Sequence, residues 1–528
     1  LRPAPGNGKM VPHPSTRAAM TFSPIDIASF VGFLVLVFAV SLAASRRKKV
    51  ATEDYFLAGR ELRWWLIGIS LIASNISTEH FVGLAGRGYA LGLAIASYEW
   101  MAAVTMVVVA LFFLPKFLRA GIFTMPEYLE YRYDAAARSI MAFFMMLAYV
   151  FVALATVLYS GALALEAVIG LDVITGIWII GALSGLYVTY GGLRAVVWTE
   201  LIQGPALLLG ALLVFVLSLN AIGGWGEFTT LSAGKLHTVL PWNDPEMPWL
   251  AVFVGGLWIP NLFYWGLNQF ITQRALAARS LADGQRGTLF AAAIKVSIPF
   301  LIVMPGIMAV HLYPDLIKTP DQAYPVLIRE LVPPGLLGIM LAALFGAVLS
   351  TFESLLNSAA TIFSLDIYQR HWRPSAEPAQ LLRVGRWATL VLFLVGCLWA
   401  PIVGRAGSVF QYIQMFWGFI SPGIVAAFVV GMVSPRTPPL AAKGAMLLGI
   451  PVYGLLLWFL PGVAFLHHMA ITFLVVVAYM WIVTALRPLA AARVLPVKEG
   501  LSLEPARHAG LLGGLVVAAV AVLYLYFW

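Results

Sequence analysis

Apolar runs of twenty or so residues recur from one end of the chain to the other, each bounded by charges or by Pro and Gly clusters. One such run suffices to cross the hydrocarbon layer, since a spanning helix needs roughly 20 residues. Fourteen are legible, at 25–45, 64–92, 95–118, 138–168, 173–190, 195–219, 249–273, 287–313, 335–365, 383–401, 406–432, 440–460, 465–486 and 508–528. Inside hydrocarbon every backbone polar group must find its partner within the protein, so runs of this length predict an all-α polytopic membrane protein. Of the 528 residues, 61% are hydrophobic and only 11% charged, against about 25% in soluble domains. A soluble multidomain enzyme is excluded.

The loops set the orientation. Lys and Arg outnumber those of the opposite side three to one on the side that begins with Arg46, Arg47, Lys48 and Lys49, which the positive-inside rule makes cytoplasmic. With an even number of spans, both termini are expected outside. The net charge of +9 is thus a topological bias and predicts no nucleic-acid partner. Residues 1–24 carry no signal-peptide apolar core and are expected to be extracytoplasmic, part of them leader or appended sequence. The expected location is a bacterial inner membrane. The single cysteine, Cys397, rules out a disulfide framework and any cysteine-based zinc or iron–sulfur site.

Two spans are interrupted. The second runs as ordinary apolar helix from Trp64 to Ala73, then meets Ser74, Asn75, Ser77, Thr78, Glu79 and His80, followed by Gly83, Gly86 and Gly88. The seventh carries Gly255, Gly256, Pro260 and Asn261 at similar depth, and Pro260 removes a helix hydrogen bond and clashes with the preceding turn. The breaks lie five spans apart. Two five-helix units that each open with a broken helix point to an inverted-repeat transporter with its site at the midplane; a proline kink and a polar helix contact are the plainer alternative.

The motifs are those of a known family. EDYFLAGREL, SLIASNISTEHFVGLAGRGYALG, ASYEW, MPEYLEYRY, YGGLRAVVWTELIQ, YWGLNQFITQRALAA, AYPVLI, LLNSAATIFSLDIY, and QYIQ with a later GFISPG resemble the sodium:solute symporter family, its sodium/sugar cotransporters most closely, over about residues 24–470. The resemblance implies a five-plus-five inverted-repeat, LeuT-like fold. A peripheral helix at 25–45 would precede repeats at 64–219 and 249–432, with three peripheral helices at 440–528.

Desolvating a sodium ion takes several fixed oxygens, which unwound carbonyls and hydroxyls supply without a full negative charge. Ser350 and Thr351 face the break of the second span, with bonding back to their own helix as the alternative. The resemblance implies that these hydroxyls join the carbonyls of Ala73, Ile76 and Ala347 around sodium, the co-transported ion; no organic cofactor is expected. Glu200, where many relatives carry Asp, resembles an ion-exit or second-cation residue, and could also serve as a helix cap. Glu353, one turn beyond Ser350, is an intramembrane carboxylate with either a coupling role or a pairing role.

A sugar offers hydroxyls around an apolar ring face, so its pocket needs mixed donors and acceptors and an aromatic platform. The resemblance assigns hydrogen bonding to His80, Glu99, Asn261, Lys295 and Gln414. It places Tyr264 beneath the sugar as inner gate, and Leu84, Tyr98 and Phe410 above it as outer gate. Asn75 adds a polar group, and Lys295 opposite Glu99 leaves the pocket neutral. Ala102 and Ala153 stand where the closest sugar-binding pattern has polar residues, which leaves inositol, another polyol or a small organic solute as rival substrates. A channel or a transporter-like sensor is the rival of a different class, and it would not need two gates.

Other motifs carry nothing. The glycosylation string Asn75-Ile76-Ser77 lies inside a span. His467 and His468 point about 100° apart on a helix, a poor chelating geometry, and an outer-loop or interfacial place is expected for them. There is no nucleophile elbow, phosphate loop or HExxH motif, so no enzymatic activity is expected, and an ion gradient remains as the energy source.

Overall fold

The computed structural model of the protein describes residues 23–45, 57–406 and 409–528. Among these the chain is helical throughout, without a β-strand; only isolated bridges such as Leu62 with Ala278 occur. All but the last two residues of the expected N-terminal segment 1–24 lie outside the described residues.

Among the described residues eleven helices are long and apolar enough to cross a membrane. Three shorter apolar helices, Pro24–Val37, Trp64–Asn75 and Val173–Leu183, fall within the expected spans 25–45, 64–92 and 173–190, so length and hydropathy alone do not establish fourteen crossings. The spans read separately at 173–190 and 195–219 lie in one helical stretch, Val173–Ala221. Its Gly191-Gly192 pair costs roughly 1 kcal/mol per residue relative to Ala, too little to end a helix by itself.

The first broken helix opens at Trp64–Asn75. Its leading N–H, from Trp64, is capped across the bundle by Asp283 Oδ1 at 3.1 Å, which satisfies one of the orphan donors of a helix start. Ile76 is extended, with φ −78° and ψ 100°. A π-helical turn, His80–Leu84, and the half-helix Ala85–Leu91 follow. This second half packs backbone to backbone on the long helix Leu281–Leu312. A Cβ on Gly88 would lie 2.7 Å from the Val303 carbonyl oxygen, and one on Gly306 2.1 Å from that of Ala85. Small residues permit such approach between membrane helices.

The second broken helix is interrupted twice, once where expected and once beyond. Trp249–Phe253 is followed by irregular residues 254–257, then by Trp258–Leu262, the π-helical turn Phe263–Leu267, and Gln269–Leu276. Gly255 and Gly256 lie in the irregular stretch, where a Cβ on Gly256 would strike the Leu466 carbonyl oxygen at 1.7 Å. Pro260 and Asn261, however, are helical. Pro260 falls in the first turn of its helix, where its missing N–H is no loss. The deeper break is at Asn268, extended at φ −83° and ψ 121° and fully buried; its side chain accepts a hydrogen bond from the Tyr149 hydroxyl.

Candidate functional site

A cavity of about 90 Å³ lies between the two broken helices. It is lined by Asn75, His80, Leu84, Tyr98, Glu99, Asn261, Tyr264, Lys295, Phe410 and Gln414, so every residue assigned to the pocket from sequence reaches it. Ala102 lines it as well, whereas Ala153 does not. The volume holds only a few water molecules.

Lys295 is the electrostatic centre. It is 1% exposed, and its ammonium donates to Glu99 Oε2 and to Asn75 Oδ1. The Trp265 ring centroid lies 5.2 Å away, close enough for a cation–π attraction. A buried ammonium is tolerated only when paired and hydrogen-bonded, and this triad supplies both. His80 Nε2 stands 3.5 Å from the other Glu99 oxygen, while its Nδ1 is buried without a partner. Asn75 completes the chain by donating Nδ2 to the Tyr264 hydroxyl at 3.0 Å. Asn261 donates to the carbonyl of Leu257 on its own helix at 3.1 Å, so its amide oxygen is the part left for a ligand.

Rings close the two ends. Tyr98 and Phe410 meet edge to face, with centroids 4.9 Å apart, and Gln414 lines the cavity with them. Leu84 is 1% exposed beside them. At the other end Tyr264 meets Phe270 edge to face at 5.5 Å. Beyond the Tyr98 end, the carboxylate of Asp321 accepts from the backbone N–H of Val409, next to Phe410, and burial pushes that carboxyl up to about 6.

The residues assigned to sodium are all buried at the break of the first helix. Helix geometry leaves the last-turn carbonyls of Trp64–Asn75 without ladder partners; the Ile76 N–H takes only that of Ile72. Thr351 donates to the carbonyl of Ser74 at 3.2 Å, across helices rather than back to its own. Ser350 turns elsewhere, toward Glu200 Oε1 at 3.2 Å.

Glu200 is not a helix cap. The helix runs through it, it is fully buried, and it pairs with Arg274 at 2.8 Å. Ser70, Ser74, Ser350 and Ser354 also donate to it. Glu353 is 2% exposed with Oε2 unpartnered, and among the described residues no ion pair neutralises it. His468, in the first turn of Phe465–Leu486, is 1% exposed and packed edge-on against Tyr453.

Two residues escaped the sequence reading. Arg274 stands just past the expected span 249–273, where a charge reads as a loop residue, yet it is fully buried; its place in the motif FITQRAL beside the second break is the signal that was available. Glu79 also lines the cavity and accepts from Thr156 at 2.9 Å. It stands directly before His80, on the same polar stretch.

Comparison with known proteins agrees with this arrangement. The profile of the sodium:solute symporter family matches residues 55–451. A sodium/glucose cotransporter of Vibrio parahaemolyticus is 41% identical over 88% of this chain and 91% of its own. The mouse sodium/myo-inositol cotransporter 2 is 35% identical over 81% of this chain and 69% of its own. Among solved structures, a substrate-bound, outward-open Na+-coupled sialic acid symporter superposes with a TM-score of 0.81 at 25% identity, covering 90% of this chain and all of the other. The nucleobase-cation-symport-1 family transporter Mhp1 shares the fold alone, at TM-score 0.56 and 16% identity over 84% of this chain and 97% of its own. The fold is therefore the LeuT-like arrangement of sodium symporters, and the chain is an integral, multi-pass membrane protein with sodium as its co-transported ion. With most of its length matched by the family profile and by a relative at 41% identity, the chain belongs to the sodium:solute symporter family.

Proposed function

We propose that this symporter imports a neutral monosaccharide of the glucose or galactose type, together with sodium, by alternating access between inverted repeats at 64–219 and 249–432. The observation that carries this reading is the Lys295–Glu99–Asn75 triad in a cavity walled by Tyr98, Tyr264 and Trp265. The charges of Lys295 and Glu99 cancel, and Glu79 on the same wall is engaged by Thr156, which suits an uncharged ligand; polar groups beside ring faces suit one with hydroxyls around an apolar face. The likeness to a sodium/glucose cotransporter over nearly the whole chain supports it.

In this reading His80, Glu99, Asn261, Lys295 and Gln414 hold the sugar, Asn75 aligns Lys295 and Tyr264, and Tyr264 is the inner gate. Leu84, Tyr98 and Phe410 form the outer gate. Thr351 and Ser350, with the carbonyls of Ala73, Ile76 and Ala347, hold sodium, while Glu200 and Glu353 line its exit or a second cation site. The membrane is a bacterial inner membrane, with both termini outside. A second reading, a polyol such as myo-inositol, is favoured by the likeness to a sodium/myo-inositol cotransporter; Ala102 on the cavity wall departs from the closest sugar-binding pattern without choosing between the two.

Uptake of labelled sugars and polyols into proteoliposomes, with and without an inward sodium gradient, tests both. Sodium-dependent uptake of glucose or galactose supports the first reading, and uptake of inositol alone the second. Equal rates with and without sodium would make the protein a channel-like pathway.

A further inference from the structure

Outside the cavity described above, an apolar crevice of about 540 Å³ lies between Leu281–Leu312 and the last helix, Ala509–Tyr526. Leu289, Phe290, Val296, Leu515 and Ala519 are among its walls. An apolar cavity of this kind does not hold ordered water, and it opens on the outer surface of the bundle, where Leu512 and Leu515 are exposed. Phe290 is fixed in the wall by an edge-to-face contact with Trp64 at 5.6 Å.

One lining residue breaks the apolar pattern. Arg286 is exposed, lies toward the end of its helix that the loop charges make cytoplasmic, and has no partner among the described residues. The nearest acid on its own helix, Asp283, is already committed. It accepts from Arg279 at 2.5 Å, from Ser280 at 3.1 Å and from the backbone of Trp64 at 3.1 Å. Arg63, beside Trp64, and Arg507, just before the last helix, add charge of the same sign to the neighbouring elements. A guanidinium in a planar fork matches a phosphate bidentately, and juxtamembrane basic residues attract anionic lipid.

We infer that this crevice is a binding site for one anionic phospholipid of the cytoplasmic leaflet, with an acyl chain between the two helices and its phosphate on Arg286. The site is separate from the sugar pocket and independent of the substrate proposed above.

Native mass spectrometry of the full chain in detergent tests it, with phosphatidylglycerol, phosphatidylcholine and inorganic phosphate as probes. The wild type should retain one phosphatidylglycerol in preference to phosphatidylcholine. Arg286→Gln should cut that preference by about fivefold, the factor one basic residue contributes near an anionic surface. Ala519→Trp, which fills the crevice while keeping the cation, should lose both lipids, with thermal unfolding in detergent confirming that each variant is folded. Undiminished preference in Arg286→Gln, retention of lipid by Ala519→Trp, equal retention of the two lipids by the wild type, or displacement of phosphatidylglycerol by inorganic phosphate would each overturn the inference.

Discussion

The amide of Asn75 joins the ring that closes one end of the pocket to the cation at its centre, donating to the Tyr264 hydroxyl at 3.0 Å while its oxygen accepts from Lys295. One side chain beside the break of the first helix thus aligns groups from the second broken helix and from the long helix that follows it. Tyr264→Ala should abolish most sodium-driven uptake, because platform and hydroxyl go together. Tyr264→Phe should keep more activity, losing one hydrogen bond worth about 0.5–1.5 kcal/mol. Equal losses in a transport assay would make the Asn75 contact, rather than stacking, the function of this residue.

On the proposed sodium site, Thr351→Ala should raise the sodium concentration for half-maximal uptake by about tenfold, the loss of one ligand oxygen where an unmet polar group costs about 1–3 kcal/mol. Ser350→Ala should do less. Its hydroxyl is turned to Glu200 at 3.2 Å and must rotate to reach the ion. A proton gradient that drives full uptake in sodium-free medium would contradict both expectations and shift attention to Glu353.

Gln414→Ala and Glu99→Ala should each weaken sugar affinity by about tenfold or more while leaving sodium binding in place, as ligand hydroxyls lose partners worth about 1–3 kcal/mol in a buried site. Lys295→Met leaves Glu99 without its cation. Sugar affinity in that variant should depend on pH where that of the parent does not, which competition binding across pH 5 to 8 would reveal.

Arg274→Ala strands Glu200 in a fully buried place, and breaking such a pair costs about 3–5 kcal/mol. The variant should unfold at a markedly lower temperature in detergent. Adding Glu200→Gln should recover part of the loss, since an amide needs no counter-charge; a double variant as unstable as the single one would locate the damage in the serine contacts instead.

Asp321 gives stability a pH dependence of definite sign. Its carboxyl titrates near 6 in the folded chain against an ordinary 3.8, so the folded state binds the proton more tightly than the unfolded state. The group's effect is neutral below the ordinary value, then destabilises progressively as pH rises through 6, and levels off above. Asp321→Asn should flatten that decline in thermal unfolding between pH 4 and 7. A decline unchanged by the substitution would assign it to another group.

Much of this was legible because burial in lipid forces simple rules on the chain. Apolar length marks spans, and polar strings at Ser74–His80 mark a break, since no other place in hydrocarbon tolerates them. The pocket lining followed from motifs rather than from spacing. Gly255 and Gly256 do mark an irregular stretch of the second broken helix, but the further break at Asn268 was missed. Pro260 sits harmlessly in a first turn, while Asn268, which does break the helix, is held by Tyr149 from a distant span, a relation no local pattern carries. Arginines misled for a related reason. Arg60 and Arg132 are 8% and 2% exposed and donate to backbone carbonyls, Arg60 to those of Gly121 and Ile122 and Arg132 to those of Gly431 and Ser434. Charge counting treats such helix-end fasteners as solvent-facing loop residues.

The pairing of Lys295 with Glu99 also bears on how membrane potential acts. An elementary charge carried across the bilayer exchanges about 2.3 kcal/mol with each 100 mV, but a compensated pair contributes nothing when access to it switches sides. On the proposed reading, work done by the voltage then falls on the sodium ion rather than on this part of the solute pocket. Electrical driving force is thereby kept apart from solute recognition, and a relative could change its solute at this pocket without changing how strongly it is driven.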